Sequence, residues 1–309
     1  TEKECYQQII SDLEDAERNA PDFQSSDRTL MTKTVAQALL CKVYAETAVQ
    51  NYDKVIEYAE KVQNTKGLAL EPDFSTLWGW NATAQDCTKR NTTEGILEVH
   101  WFPGAGNWES WMYGRCLENY EYGFTWAKWV TPSRDLIKAF NDEGDTTRLN
   151  QTVVYYSCNW SNYYPSSHYA FMYKLRSGYN NEYVVRLADI ILLEAEAYAH
   201  KGELQLAAQL VNLIRQRAKL PKLTSAATAS QTTMEEAVLK ERRLELACEG
   251  ERWYDLRRAG KVEEVLNSLP SRDSGHLPLA RQYTANSYLM PIPQTALDEN
   301  DNLIQNPGY

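Results

Sequence analysis

Seven of the nine tryptophans in this 309-residue chain fall between positions 78 and 129: Trp78, Trp80, Trp101, Trp108, Trp111, Trp126 and Trp129. Tyr113, Tyr120, Tyr122 and Phe124 lie among them, and glycines at 79, 95, 104, 106, 114 and 123 keep most of these rings off a long regular helix. Flat aromatic faces carried on loops suit a carbohydrate surface. The C–H face of a pyranose stacks on the ring while a neighbouring Asn, Asp, Glu or Arg hydrogen-bonds the hydroxyls. Aromatic side chains have few rotors, so such a surface loses little entropy on binding. Trp108, Trp111 and Tyr113 follow a Gly-Ala-Gly turn and form the preferred platform, with Asn107, Glu109, Arg115 and Asn119 as its polar partners. Trp78 and Trp80 are further candidates; two positions apart in extended chain they face opposite sides, so one of the pair is available. The alternative use of the same rings is as the small core that loops over a scaffold need. Tyr155–Tyr183 is a lesser polar-aromatic candidate.

Catalytic chemistry has little support. The four histidines (His100, His168, His200, His276) are scattered without the spacing of a metal site or a triad. No Gly-x-Ser-x-Gly, phosphate loop or dinucleotide fingerprint appears. A glycosidase needs only two carboxylates, but among 42 acidic residues any such pair is unspecific. Glu245 and Glu249 are flanked by arginines that hold both ionised, which suits an ion-pair network rather than proton transfer. The expectation is a non-enzyme with no cofactor and no metal.

A formal charge of −10 argues against a nucleic-acid surface. No run of about 18 apolar residues is present to span a membrane. The six cysteines (Cys5, Cys41, Cys87, Cys116, Cys158, Cys248) form no C-x-x-C pair, and Cys87, Cys116 and Cys158 fall in loop-like sequence where a disulfide is an open alternative.

Apolar periodicity supplies the elements that must carry the loops. It predicts helices over 3–20, 34–44 and 53–63, the last two antiparallel because their connection is short. A second pair is predicted over 184–198 and 203–218, around a Lys201-Gly202 turn. Helix, tight turn, helix with small residues at the crossing is the tetratricopeptide plan. From Leu239 to Gly260, Arg242, Glu245, Glu249, Arg252 and Asp255 recur at helical spacing, so opposite charges sit one turn apart, and Gly260 closes the helix. Pro291 and Pro293 hold an extended Pro-Ile-Pro segment, from which the tail lays back across the helices.

The Leu239–Gly260 stretch, Tyr288-Leu-Met-Pro-Ile-Pro293 and the closing Gln305-Asn-Pro-Gly-Tyr309 together resemble the C-terminal signature of the SusD/RagB family. Tyr6–Ala16, Thr34–Tyr44, Glu94–Trp101, Pro132–Phe140, Val185–Ala197 and Asn212–Ala218 resemble further family segments in the same order. The resemblance implies a mostly α fold, tetratricopeptide-like helical hairpins with a long aromatic-rich irregular insertion. Residues 1–309 would be one SusD-like domain: hairpins over 1–70, the aromatic region over 71–183, and a hairpin plus signature over 184–309. It implies a non-catalytic protein that captures oligo- or polysaccharide at the outer membrane's extracellular face and delivers it to a SusC-like TonB-dependent transporter. Family members usually carry a signal peptide, a lipidated cysteine and a further N-terminal portion, so the expectation is the C-terminal part of a longer protein, membrane-associated only through an N-terminal lipid anchor absent here. The alternatives are a peptide-binding member of the family and a helical-repeat adaptor of the transporter.

Overall fold

Short polar residues start the helices of the first unit. Thr1 caps α1 (Glu2–Asn19) through a capping box with Glu4, Thr32 caps α2 (Lys33–Ala45), and Asn51 caps α3 (Tyr52–Gln63), each side chain accepting an otherwise orphaned backbone N–H. The computed structural model describes residues 1–81, 83–84, 86–102, 131–158, 161–176 and 179–309, and it divides into two units, Thr1–Arg252 and Trp253–Tyr309. After α3 come short strands β1 (Trp80–Asn81) and β2 (Asp86–Cys87), then β3 (Gly95–His100). Helices α4 (Arg134–Glu143) and α5 (Thr146–Thr152) lead into the hairpin of β4 (Val153–Tyr156) and β5 (Tyr169–Met172). Strand β6 (Asn181–Arg186) returns to pair antiparallel with β3 and runs directly into α6 (Leu187–His200), which is followed by α7 (Leu204–Arg217) and α8 (Gln231–Glu245).

The protein is mostly helical, and its main core lies between the helical pairs. Ala38, Leu40 and Cys41 of α2, Val55, Ala59 and Val62 of α3, Ile190, Ala195 and Ala199 of α6, and Ala207, Val211 and Ile214 of α7 pack into one buried cluster, closed by Met234 and Val238 of α8. The many alanines let the helices approach closely. Tyr52, opening α3, stacks on His200 at the end of α6, with ring centroids 4.7 Å apart. Gly202, at φ +76°, makes the α6–α7 turn. At Gly95 the reason for glycine is contact: a Cβ would sit 2.1 Å from the Glu98 carboxylate.

Two elements differ from the sequence reading. The helix expected from Val184 begins only at Leu187, because Asn181–Arg186 is a strand. There Tyr183 and Val185 point inward while Val184 is exposed, the period-2 alternation of a sheet. The charged signature is also not one helix. α8 stops at Glu245, Cys248 (φ +64°) and Gly250 (φ +86°) turn the chain, and α9 (Arg252–Arg258) starts afresh. Apart from Asp255, which pairs with Arg258 along α9, its charges therefore pair mainly between elements. Arg242 reaches Asp189 of α6 at 2.8 Å. Glu245 accepts from Arg186 at 2.6 Å, from Arg148 at 3.2 Å, and from Arg217. Arg186 also bonds Glu94 at 2.7 Å and Glu249 at 2.6 Å; Lys174 donates to Glu249 and to the Glu245 carbonyl. Arg148 completes the set with Asp145 and, at 2.7 Å, Glu241. Burial alone would raise the Glu245 carboxyl, but Arg217, Arg186, Arg148 and Lys174 outweigh it and hold it well below the usual range.

In the second unit, α10 (Val262–Asn267), α11 (Leu269–Arg272) and α12 (Gln294–Glu299) are short. The tail is held as the extended Pro-Ile-Pro segment requires. Gln305 bonds both the N–H and the carbonyl of Ile292, at 2.8 and 2.9 Å, like a rung of a β-ladder. Asn306 reaches the Met290 carbonyl at 2.6 Å, and the Tyr309 hydroxyl the Leu289 carbonyl at 3.0 Å.

Glu245→Gln leaves three buried guanidinium groups short of their shared anion, so a loss of about 3–5 kcal/mol in unfolding free energy is expected from urea denaturation. A loss below about 1 kcal/mol would show that the network does not hold the fold. A second expectation concerns Glu194 of α6, 4% exposed and hydrogen-bonded by Gln63. Burial raises its carboxyl to about 7, against the Gln63 hydrogen bond and with a further push from Glu60. A raised carboxyl pKa contributes stability that is present below the ordinary value of about 4.5 and lost as pH rises through about 7. The stability difference between wild type and Glu194→Gln should therefore shift by about 2 kcal/mol in the variant's favour between pH 4.5 and 8.5; a pH-independent difference would refute the assignment.

Candidate functional site

The aromatic residues take two distinct places. Trp78 ends a short 3-10 turn (Phe74–Trp78) and its ring is only 2% exposed, edge-on to Tyr183 at 5.3 Å and to Phe74 at 6.1 Å. It therefore offers no open face to a ligand. Trp80, on β1, is half-buried and leans on Tyr179 at 6.4 Å. Asn107, Trp108, Trp111, Tyr113 and Arg115 lie outside the described residues, as do Glu109, Asn119 and Cys116.

The base from which that segment departs is nevertheless firmly built. Trp101 donates its indole N–H to Glu182 at 3.0 Å, and Phe102, 53% exposed, lies under the Arg90 guanidinium at 4.6 Å. Arg90 bonds Asp86 at 2.6 Å, the Trp101 carbonyl at 2.8 Å, the Tyr179 carbonyl at 3.2 Å and the Asn181 side chain at 3.2 Å. One side chain thus ties together the β2 end, the β3 exit and the β6 entry.

A shallow groove of about 770 Å³ opens on the β4–β5 hairpin, lined by Arg134, Ser161, Asn162, Tyr163, Tyr164, Pro165 and Ser166. Tyr163 and Tyr164 meet edge to face at 5.0 Å, and the Arg134 guanidinium stands 4.2 Å from one ring centroid and 4.4 Å from the other. Tyr164 is fixed from behind. Its hydroxyl donates to the Pro132 carbonyl at 2.7 Å, and its ring packs on Tyr169, whose own hydroxyl reaches Ser161 at 3.0 Å. On the same hairpin Tyr155 stacks flat on exposed His168 at 3.9 Å. None of the described lining residues is a carboxylate. The arrangement presents the part-exposed Tyr163 ring, backed by buried Tyr164, beside amide, hydroxyl and guanidinium groups, which is binding chemistry. It falls within the lesser of the two aromatic segments marked in the sequence. Arg134 was not marked, yet a signal existed: it occupies the first turn of α4, where a cation opposes the helix dipole and needs another reason to be there.

Other reactive-looking groups are already engaged. His100 bonds Glu98 at 2.8 Å, and the described residues hold no group of three side chains placed for a metal. The described cysteines are all free thiols, and burial pushes the Cys248 thiol up to about 11. No helix among the described residues is long and apolar enough to cross a membrane.

Residues 170–309 match the family model for the SusD family. SusD-like protein P2 of Formosa agariphila is 29% identical over 342 residues, covering all of this chain and 65% of that protein. A solved laminarin-binding SusD-like protein superposes with a TM-score of 0.74 at 26% identity, over 98% of this chain and 68% of its own. Residues 170–309 thus carry the SusD family pattern, and the whole chain is similar to SusD-like proteins. A putative sugar-binding protein of Bacteroides vulgatus has the same TM-score and identity, over 99% of this chain and 65% of its own. The SusD family match starts within β5 and contains Lys174, Arg186, Arg217, Glu241, Glu245 and Glu249, so most of the buried network lies inside it. The Tyr163–Tyr164 groove lies ahead of it, in a part where SusD family members are matched here only by whole-chain comparison.

Proposed function

We propose that this chain is a non-catalytic, surface-exposed glycan-binding protein that captures oligo- or polysaccharide at the outer membrane and passes it to a SusC-like TonB-dependent transporter. The observation that carries the reading is the groove built from Tyr163, Tyr164 and Arg134, with the part-exposed Tyr163 ring held against buried Tyr164 beside hydrogen-bonding groups. The laminarin-binding relative supports a carbohydrate ligand. Trp108 and Trp111 would extend the platform from the segment that follows Phe102 in the sequence, with Asn107, Tyr113 and Arg115 as further candidates. Affinity would come from several weak contacts along a polymer rather than from one deep pocket. The likeness of the whole chain to SusD-like proteins favours lipid anchoring at the extracellular face. Cleavage would belong to separate enzymes.

Affinity electrophoresis through gels containing laminarin and a panel of other polysaccharides tests this. Retardation by at least one polysaccharide is expected, unchanged between 50 and 500 mM salt, since stacking carries no net charge. Tyr163→Ala and Trp108→Ala should each weaken binding by about tenfold or more. Retardation that fades with salt, or survives both substitutions, would sink the reading in favour of a charged ligand or another site.

A further inference from the structure

The second unit contains a pocket that the glycan reading does not use. It has a volume of about 640 Å³, within the range of ligand sites, and is lined among others by Trp253, Tyr254, Tyr283, Met290, Arg281 and Tyr309. It is a built cavity. The Trp253 ring packs 6.4 Å from Tyr283 and 6.3 Å from Tyr288. The Tyr309 wall is anchored by its hydroxyl, which accepts from Arg281 at 3.2 Å and donates to the Leu289 carbonyl at 3.0 Å, while Gln305 locks the tail to Ile292 on both sides.

Two features say what it takes. The first is aliphatic surface. Leu256 and Val262 are the only buried apolar side chains in residues 253–309, whereas Met290 is 79% and Ile304 86% exposed, with Leu277, Leu289 and Tyr254 also open. Of these, Met290 and Tyr254 stand in the pocket wall, with half-buried Leu279 also lining it, and such a wall matches apolar side chains rather than sugar hydroxyls. The second is charge. Arg281 is the one charged residue lining the pocket, and it makes no ion pair among the described residues. Its guanidinium lies 4.8 Å from the Tyr309 ring centroid, which aims it while leaving donors for an incoming anion. We propose that this pocket docks an extended polypeptide segment carrying a bulky apolar side chain next to a carboxylate. The apolar side chain enters between Trp253 and Met290, and the carboxylate meets Arg281.

Selection of a phage-displayed random dodecapeptide library on the protein tests this, with the best peptide then made with a fluorescein label for anisotropy. Enriched peptides should place a large apolar residue within two positions of Asp or Glu. Met290→Asp and Arg281→Gln should each weaken the labelled peptide at least about tenfold. Met290 is exposed, so its variant keeps the fold, as circular dichroism will verify. Replacing the peptide acid by its amide should weaken wild type about tenfold and Arg281→Gln less than about twofold, the signature of a direct pair. The proposal falls if no peptide is enriched, if Met290→Asp binds as wild type does, or if laminarin competes. It falls equally if sedimentation shows self-association that Met290→Asp abolishes, since the occupant is then a second copy of the chain.

Discussion

The first unit is organised around one buried carboxylate. Glu245 ends α8 and is shared by Arg186 from the end of β6, Arg217 from the end of α7 and Arg148 from α5. None of these arginines keeps appreciable solvent contact, so each needs anionic partners to remain inside. Glu94, Glu241, Glu249 and Asp145 supply them. The consequence is positional: Arg186 pairs with Gly95 in the sheet and binds Glu94 at the same end, so the network sets the register of β3 against β6. Replacing such a set with apolar side chains often leaves stability intact; what the charges add is a single permitted arrangement.

This constraint explains the fate of Trp78. The Phe74 ring lies under three cations of the network, Lys174 at 5.4 Å, Arg217 at 5.2 Å and Arg186 at 6.0 Å, and Lys174 also stands 4.9 Å over Trp78. The negative faces of these rings help hold cations that carboxylates alone would leave partly uncompensated. Trp78 therefore works as part of the charge frame, and Trp80, two residues on, lies nearer the surface.

The helices were legible because their apolar spacing is regular: α1, α2, α3 and α7 lie within a residue or two of the periodic segments. β6 was hidden because Val184 and Val185 lead into Leu187, Ile190 and Ile191 with only the single charged residues Arg186 and Asp189 between them, and no glycine or proline marks the change of period. The break after α8 was hidden differently. Cys248 takes a positive φ that only glycine or asparagine would announce, leaving Gly250 as the visible clue. The charges of the signature were read as structural, but their partners were not legible, since Arg242 and Glu245 bond to groups between 28 and 97 positions away. For the proposed groove, composition marked Tyr155–Tyr183 only as the lesser aromatic candidate. The joining of Arg134 to Tyr163 and Tyr164 depends on how α4 approaches the β4–β5 hairpin, which no local pattern encodes.

The division of charge bears on what the surface can bind. The buried acids and bases of the first unit largely neutralise one another, so the net negative charge of the chain is carried outside. A polyanionic glycan approaching that surface meets repulsion out to about 10 Å at moderate salt, whereas a neutral glucan meets none. The proposed Tyr163–Tyr164 groove has no lining carboxylate and carries one cation, Arg134, so it is the charge of the surrounding surface, not of the groove itself, that favours a neutral polymer. Arg281 is the opposite case: its exposed guanidinium, bonded to the Tyr309 hydroxyl but to no Asp or Glu among the described residues, creates a local attraction within an acidic chain, and screening limits that attraction to contact range. Long-range steering toward this pocket is therefore weak, and what selects its occupant is the fit of an apolar side chain with a carboxylate at a fixed distance from it.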